Sequence, residues 1–123
     1  MNAFTSGGYG SALAKVETHR DAEARLLSRI NNNLLCSMKH IADDYSAFVK
    51  ALHENDQFWR QIATDLADDG NRLPEELRAT LISLAGFVVG HSASVRRGSA
   101  SIQPLVDLNK SIIRGLTRNG EKS

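Results

Sequence analysis

Residues 65 to 92 read DLADDGNRLPEELRATLISLAGFVVGHS, an acidic turn that runs straight into an apolar stretch, and the reading of that junction decides the fold. Three readings compete for LISLAGFVV, residues 81 to 89: a membrane segment, the middle of a core, or a surface for a partner. A membrane-spanning helix needs ~20 predominantly apolar residues. The run falls well short even when Ser83 and Gly86 are tolerated within it, so the membrane reading fails on length.

The acidic turn reads as the end of one helix and the start of the next. Asp68, Asp69, Gly70 and Asn71 stop the first, with glycine suited to the left-handed conformation common just past a helix terminus. Pro74 suits a first helical position, where its missing N–H costs nothing, and Glu75 and Glu76 set negative charge against the free amides. A calcium loop is the rival reading, because Asp65, Asp69, Gly70 and Glu76 fall at positions one, five, six and twelve of an EF-hand. Its third position is Ala67, Arg72 stands where an apolar residue is usual, and Pro74 takes the tenth place. Helix caps account for the same residues without a metal.

From Pro74 a helix runs to about Arg97, with Leu77, Leu81, Leu84, Ala85, Val88 and Val95 on one face. Ile82, Phe87 and Val89 spill onto others, so the helix has contacts on several sides. Gly86, Gly90 and Ser94 recur every four residues and make a shallow groove where another helix can approach closely, at ~1 kcal/mol of propensity per glycine. Arg96 and Arg97 complement the negative dipole end of this helix.

Upstream, Asp43 and Asp44 offer an N-cap for a helix striped by Tyr45, Phe48, Val49, Leu52, Trp59, Ile62, Ala63 and Leu66. The stripe skips a beat at Asn55 and Asp56, which calls for a bend, a solvent-facing interval or a buried polar contact. A first helix is expected over about 21 to 40, with Asp21 as cap and Leu26, Leu27, Ile30, Leu34, Met38 and Ile41 at helical spacing. Asn31, Asn32 and Asn33 weaken it, since each amide competes for backbone hydrogen bonds. They read as a solvated middle turn or as a polar contact to a partner. Cys36, amid apolar neighbours, reads as a buried small side chain.

Downstream, Gly98, Ser99, Ala100 and Ser101 make the last turn, and Ile102, Leu105, Leu108, Ile112 and Leu116 stripe a fourth helix. Lys110, Arg114, Arg118 and Lys122 form a basic row along it, read as a solvated face or as a place for an acidic partner or RNA. No segment alternates with the period of two that strands require. Four helices with short connections predict an all-α, compact single-domain bundle. Residues 1–14, rich in glycine and hydroxyl side chains, read as a flexible arm. Residues 15–118 form the helical domain and 119–123 a polar tail.

The totals agree. The chain has 123 residues, 41% apolar and 24% charged, 6% aromatic and two prolines, which suits one aliphatic domain. Net charge is +1, from 15 basic and 14 acidic residues, too little to gather a phosphate backbone by field alone. Cys36 is the single cysteine, so there is no internal disulfide and no cysteine-based zinc site, and a reducing cytoplasm fits. The N-terminal stretch lacks the basic and apolar regions of a secretory signal. His19, His40, His53 and His91 do not pair at metal-ligand spacing, HEN at 53 to 55 is no HExxH, and no GxSxG elbow frames a serine. An enzyme is not expected.

An ordered set of residues goes further. It comprises Phe58 and Trp59; Asp65, Leu66 and Ala67; Asn71, Leu73, Pro74, Glu76, Leu77, Arg78 and Ala79; Leu81 to Leu84; and Asn109, Ile112, Gly115 and Leu116. Together they resemble the flagellar biosynthesis regulators called FlaF, well over about 56 to 117 and loosely before. Tyr9 and DAEAR, residues 21 to 25, echo the family's early tyrosine and acidic first helix, while the asparagine triplet departs from it. The resemblance implies a non-enzymatic, cytoplasmic bacterial role with no cofactor. Such proteins promote flagellin synthesis or export at a post-transcriptional level and are set against a companion repressor, FlbT.

Flagellin, whose terminal helices need cover before assembly, or FlbT is therefore the expected partner, received as an amphipathic helix in an apolar groove. The wide faces of the third and fourth helices are the expected place for it. The candidate contact residues are Phe58, Trp59, Leu73, Pro74, Arg78, Ile82, Asn109 and Arg114, with Trp59 as anchor and Arg78 or Arg114 at the rim; Trp59 and Ile82 equally suit the core. The rival expectation is direct binding of flagellin mRNA through Lys110, Arg114 and Arg118. A homo-oligomer would use the same apolar surface on itself.

Overall fold

Four α-helices follow one another: α1 (Tyr9–Lys39), α2 (Tyr45–Ala67), α3 (Glu75–Arg96) and α4 (Gln103–Lys122). The structure is a computed structural model and describes the backbone of residues 9–122 and the side chains of residues 20–117. Among the described residues there is no strand, so the all-α bundle expected from periodicity is what forms. Residues 1–8 of the expected arm lie outside the described residues. Residues 9–14 continue the backbone of α1, which therefore begins well before Asp21. Ala12, Leu13, Ala14, Lys15 and Glu17 are strong helix formers and carry the helix through the position where Asp21 is expected to cap it. At the other end, residues 119–122 of the expected tail continue α4.

Local chemistry sets the remaining boundaries. Asp44 caps α2, its Oδ1 accepting from the backbone N–H of Ala47 at 3.1 Å and from Ser46 Oγ at 3.0 Å. α3 starts one residue later than expected: Pro74, at φ −55° and ψ 144°, is the cap, and Glu75 and Glu76 fill the first turn. The turn before it does not use a left-handed Gly70, since Gly98 alone has positive φ, 79°, among the described residues. Instead Asp68 turns extended (ψ 134°), and side chains take over the open backbone groups. Asn71 Nδ2 donates to the Asp65 carbonyl (3.1 Å) while Asn71 Oδ1 accepts from Leu73 N–H (3.0 Å). Arg78 Nε donates to the Leu66 carbonyl (2.8 Å). Gly98 closes α3, donating its N–H to the Val95 carbonyl at 2.9 Å.

α1 packs against α4 and α2, and α2 against α3, whereas α3 and α4 meet over a small contact. The helices thus form a ring left open along the α3–α4 edge. Leu27, Ile30 and Leu34 from α1, Phe48, Leu52 and Trp59 from α2, Val88 and Val95 from α3, and Leu105 and Val106 from α4 share one core. Burying each large side chain stabilises the bundle by about 1.5–3 kcal/mol. Two expectations about burial need correction. Cys36 is exposed, because position 36 falls off the inward line of Leu27, Ile30 and Leu34. Leu26 and Met38 also point outward, at 40% and 41% exposure.

Candidate partner-binding site

The gap in the stripe of α2 is a buried polar contact. Asn55 and Asp56 are 0% and 1% exposed. Asn109 of α4 joins three helices there: its Nδ2 donates to Asn55 Oδ1 at 2.8 Å and to Asn31 Oδ1 at 3.0 Å, and its Oδ1 accepts from Trp59 Nε1 at 2.9 Å. Every polar atom of the Asn109 side chain is therefore satisfied, as a fully buried amide demands. Phe58 meets Trp59 edge-on, with ring centroids 6.2 Å apart. Of the asparagine triplet, Asn31 belongs to this network while Asn32 and Asn33 are exposed.

Asp56 pairs across to α3, where Arg96 Nη2 donates to its Oδ2 at 2.6 Å. Arg96 thus answers a specific carboxylate rather than serving mainly as a dipole complement, and its carbonyl accepts from the Tyr45 hydroxyl at 3.0 Å. Arg97 stays outside and donates to Ser94 Oγ at 3.2 Å. Asn55 Nδ2, Asp56 Oδ1 and Ser92 Oγ are buried without a hydrogen bond, so a polar cost falls both on the amide cluster, through Asn55, and on the α2–α3 layer beside it.

The eight candidate contact residues are not gathered on one surface. Trp59 and Asn109 are core residues, and Phe58, 8% exposed, is nearly so. Trp59 therefore fills the core, one of its two expected places, and does not stand exposed as an anchor. Arg78 spends its guanidinium on the carbonyls of Leu66 and Asp68 (2.8 and 3.4 Å), binding the end of α2 to the start of α3. Leu73, Pro74 and Ile82 are exposed along α3 and its entry. Arg114 is exposed on α4, donating to Ser111 Oγ at 3.3 Å. Lys110 is also exposed, whereas the side chains of Arg118 and Lys122 lie outside the described ones.

A groove of about 620 Å³ runs instead between α1 and α2. Leu26, Ile30, Phe58 and Ile62 line it with apolar surface, and Glu23, Glu54 and Asp65 against Arg29 make its charged lining predominantly acidic. Of the eight candidates only Phe58 lines it. The sequence signal for this groove is Leu26, an apolar residue beside rather than on the inward line of α1. Among the described residues no cluster of three or more His, Cys, Asp or Glu is placed to hold a metal ion. Among them, too, no helix is long and apolar enough to cross a membrane.

Fold and surface define a small four-helix bundle with a buried polar centre around Asn109 and an open, partly apolar groove between α1 and α2. Compared with known protein families, the chain matches the one described as "Flagellar protein FlaF" over residues 5–116, and it belongs to that family of flagellar proteins. Comparison with curated proteins and with solved structures finds no match.

Proposed function

We propose that the protein promotes flagellin synthesis or export by binding flagellin, or a regulatory protein of the FlbT type, through the α1–α2 groove, and that it acts in the cytoplasm as a binding protein rather than an enzyme. Family membership supports the flagellar setting. The observation that carries the binding mode is the groove itself, with an apolar floor of Leu26, Ile30, Phe58 and Ile62 under acidic side chains. Such a channel suits an amphipathic helix that lays an apolar stripe inward and basic residues toward Glu54 and Asp65. This moves the docking place from α3 and α4, where the sequence alone puts it, to α1 and α2. The reading of flagellin mRNA as ligand rests on Lys110 and Arg114, both exposed, in a chain whose net charge is only +1.

Binding of the purified protein to flagellin, to an FlbT-type regulator and to the flagellin leader RNA, each at two salt concentrations, tests the proposal. A protein complex with a shallow salt response is expected. RNA binding that neutralises about three phosphates falls with a log–log slope of roughly −2 to −3. That slope, together with no protein complex, refutes the proposal in favour of RNA.

A further inference from the structure

The outward face of α3 is left largely uncovered by the rest of the bundle. α2 covers one side of this helix, and α4 touches it only slightly. On the open side Ile82 remains 37% exposed, while Phe87, 48% exposed, points off this line and stacks on His91. The residues on that side also carry an ordered charge: Glu75 stands at the first turn and Arg97 just past the last, both exposed. Arg97 keeps right-handed helical geometry, φ −78° and ψ −5°, so it continues the same line.

We propose that two copies associate through antiparallel α3 helices about a two-fold axis at Gly86. The register follows from the sequence. Glu75 and Arg97 lie equally far from Gly86, since 86 − 75 = 97 − 86 = 11, so each glutamate of one copy meets the arginine of the other. Ile82 then faces Gly90, Ala79 faces Ala93, and Gly86 faces its own mate. A C₂ contact is self-complementary by necessity, and this row meets that condition in charge, with opposite signs at its ends, and in shape, with a large side chain opposite a glycine.

The glycines support the same reading. A Cβ built at Gly86 or Gly90 meets nothing within 4 Å, so packing within one copy does not call for either glycine, although each weakens a helix interior relative to alanine. Close approach of a second helix gives them a use. This surface is separate from the α1–α2 groove, and the inference stands whether or not that groove takes flagellin.

Sedimentation equilibrium of the full chain, alone, over a wide concentration range is the test, with circular dichroism confirming helicity of each variant. The wild type is expected to shift from monomer to dimer as concentration rises. Gly86→Leu, at an exposed position where a Cβ meets nothing within 4 Å in the monomer, and Arg97→Glu, which sets like charges together at both ends, each weaken association by about tenfold or more. Because the contact is two-fold, Glu75→Arg combined with Arg97→Glu rebuilds both pairs and restores association to near the wild-type constant. A wild type that stays monomeric throughout overturns the proposal. So does a dimer indifferent to Gly86→Leu, or one that the double reversal fails to restore.

Discussion

Replacing Asn109 by alanine strikes the centre of the bundle. The side chain is fully buried and makes three hydrogen bonds, to Asn31, Asn55 and Trp59, at 2.8–3.0 Å. Alanine leaves the Trp59 N–H and two amide oxygens without their partner, and each buried orphan costs about 1–3 kcal/mol, with the lower end applying where water can reach. Summed at ~1–1.5 kcal/mol apiece, the loss is about 3–5 kcal/mol, a large share of the roughly 5–15 kcal/mol that holds a domain folded. Urea unfolding followed by circular dichroism should show the midpoint falling by about 2–4 M, and thermal unfolding a drop of roughly 10–20 °C. Asn32→Ala is the matched control, an exposed asparagine on α1, and should stay within about 0.5 kcal/mol of wild type. A double-mutant cycle with Trp59→Phe should return a coupling of about 1–2 kcal/mol. An Asn109→Ala protein that loses less than about 1 kcal/mol would refute the reasoning, because the network would then be packing decoration and not a stabilising centre.

Arg96→Ala should destabilise by about 2–3 kcal/mol, as it strands the buried Asp56 carboxylate; the figure is discounted because the arginine side chain is 33% exposed. Arg97→Ala, one residue on, should move stability by less than about 0.5 kcal/mol by the same unfolding assay. Gly98→Ala forces a side chain into φ 79° and should cost about 1–2 kcal/mol. Arg78→Ala removes the tie to the carbonyls of Leu66 and Asp68 and should cost about 1–2 kcal/mol. Hydrogen exchange should then speed up over residues 66 to 73, and Arg78→Lys, which lacks the planar fork, should rescue only part of that protection.

What could be read from the sequence was what the chain determines locally. Asp44 caps α2 through a neighbour three residues away, and Pro74 with Glu75 and Glu76 marks the start of α3, so those boundaries were legible. The start of α1 was not, because glycines nearby suggested an arm while the helix formers between Ala12 and Glu17 carried the backbone through. Asn55 and Asp56 announced an irregularity, but three outcomes fitted it. Choosing among them required knowing that Asn109, 54 residues on, arrives at the same depth. A separation of 50 residues likewise hides whether Trp59 is anchor or core, since its partner is also Asn109. Arg78 looked like a rim residue because its bonds run to backbone carbonyls, which carry no signature in side-chain pattern. The groove formed by α1 and α2 depended on how two helices rotate about their axes, and only Leu26 hinted at it.

The central claim is that the α1–α2 groove receives flagellin, and a calorimetric titration of flagellin into wild type and Leu26→Glu tests it most directly. Leu26 is 40% exposed, so the substitution should leave the unfolding midpoint nearly unchanged while placing a charge on the apolar floor. The account predicts a flagellin complex weakened by about tenfold or more in the variant, as burying an unpaired carboxylate in an interface requires. Equal affinity for the two proteins would contradict it, as would a wild type that binds neither flagellin nor an FlbT-type regulator.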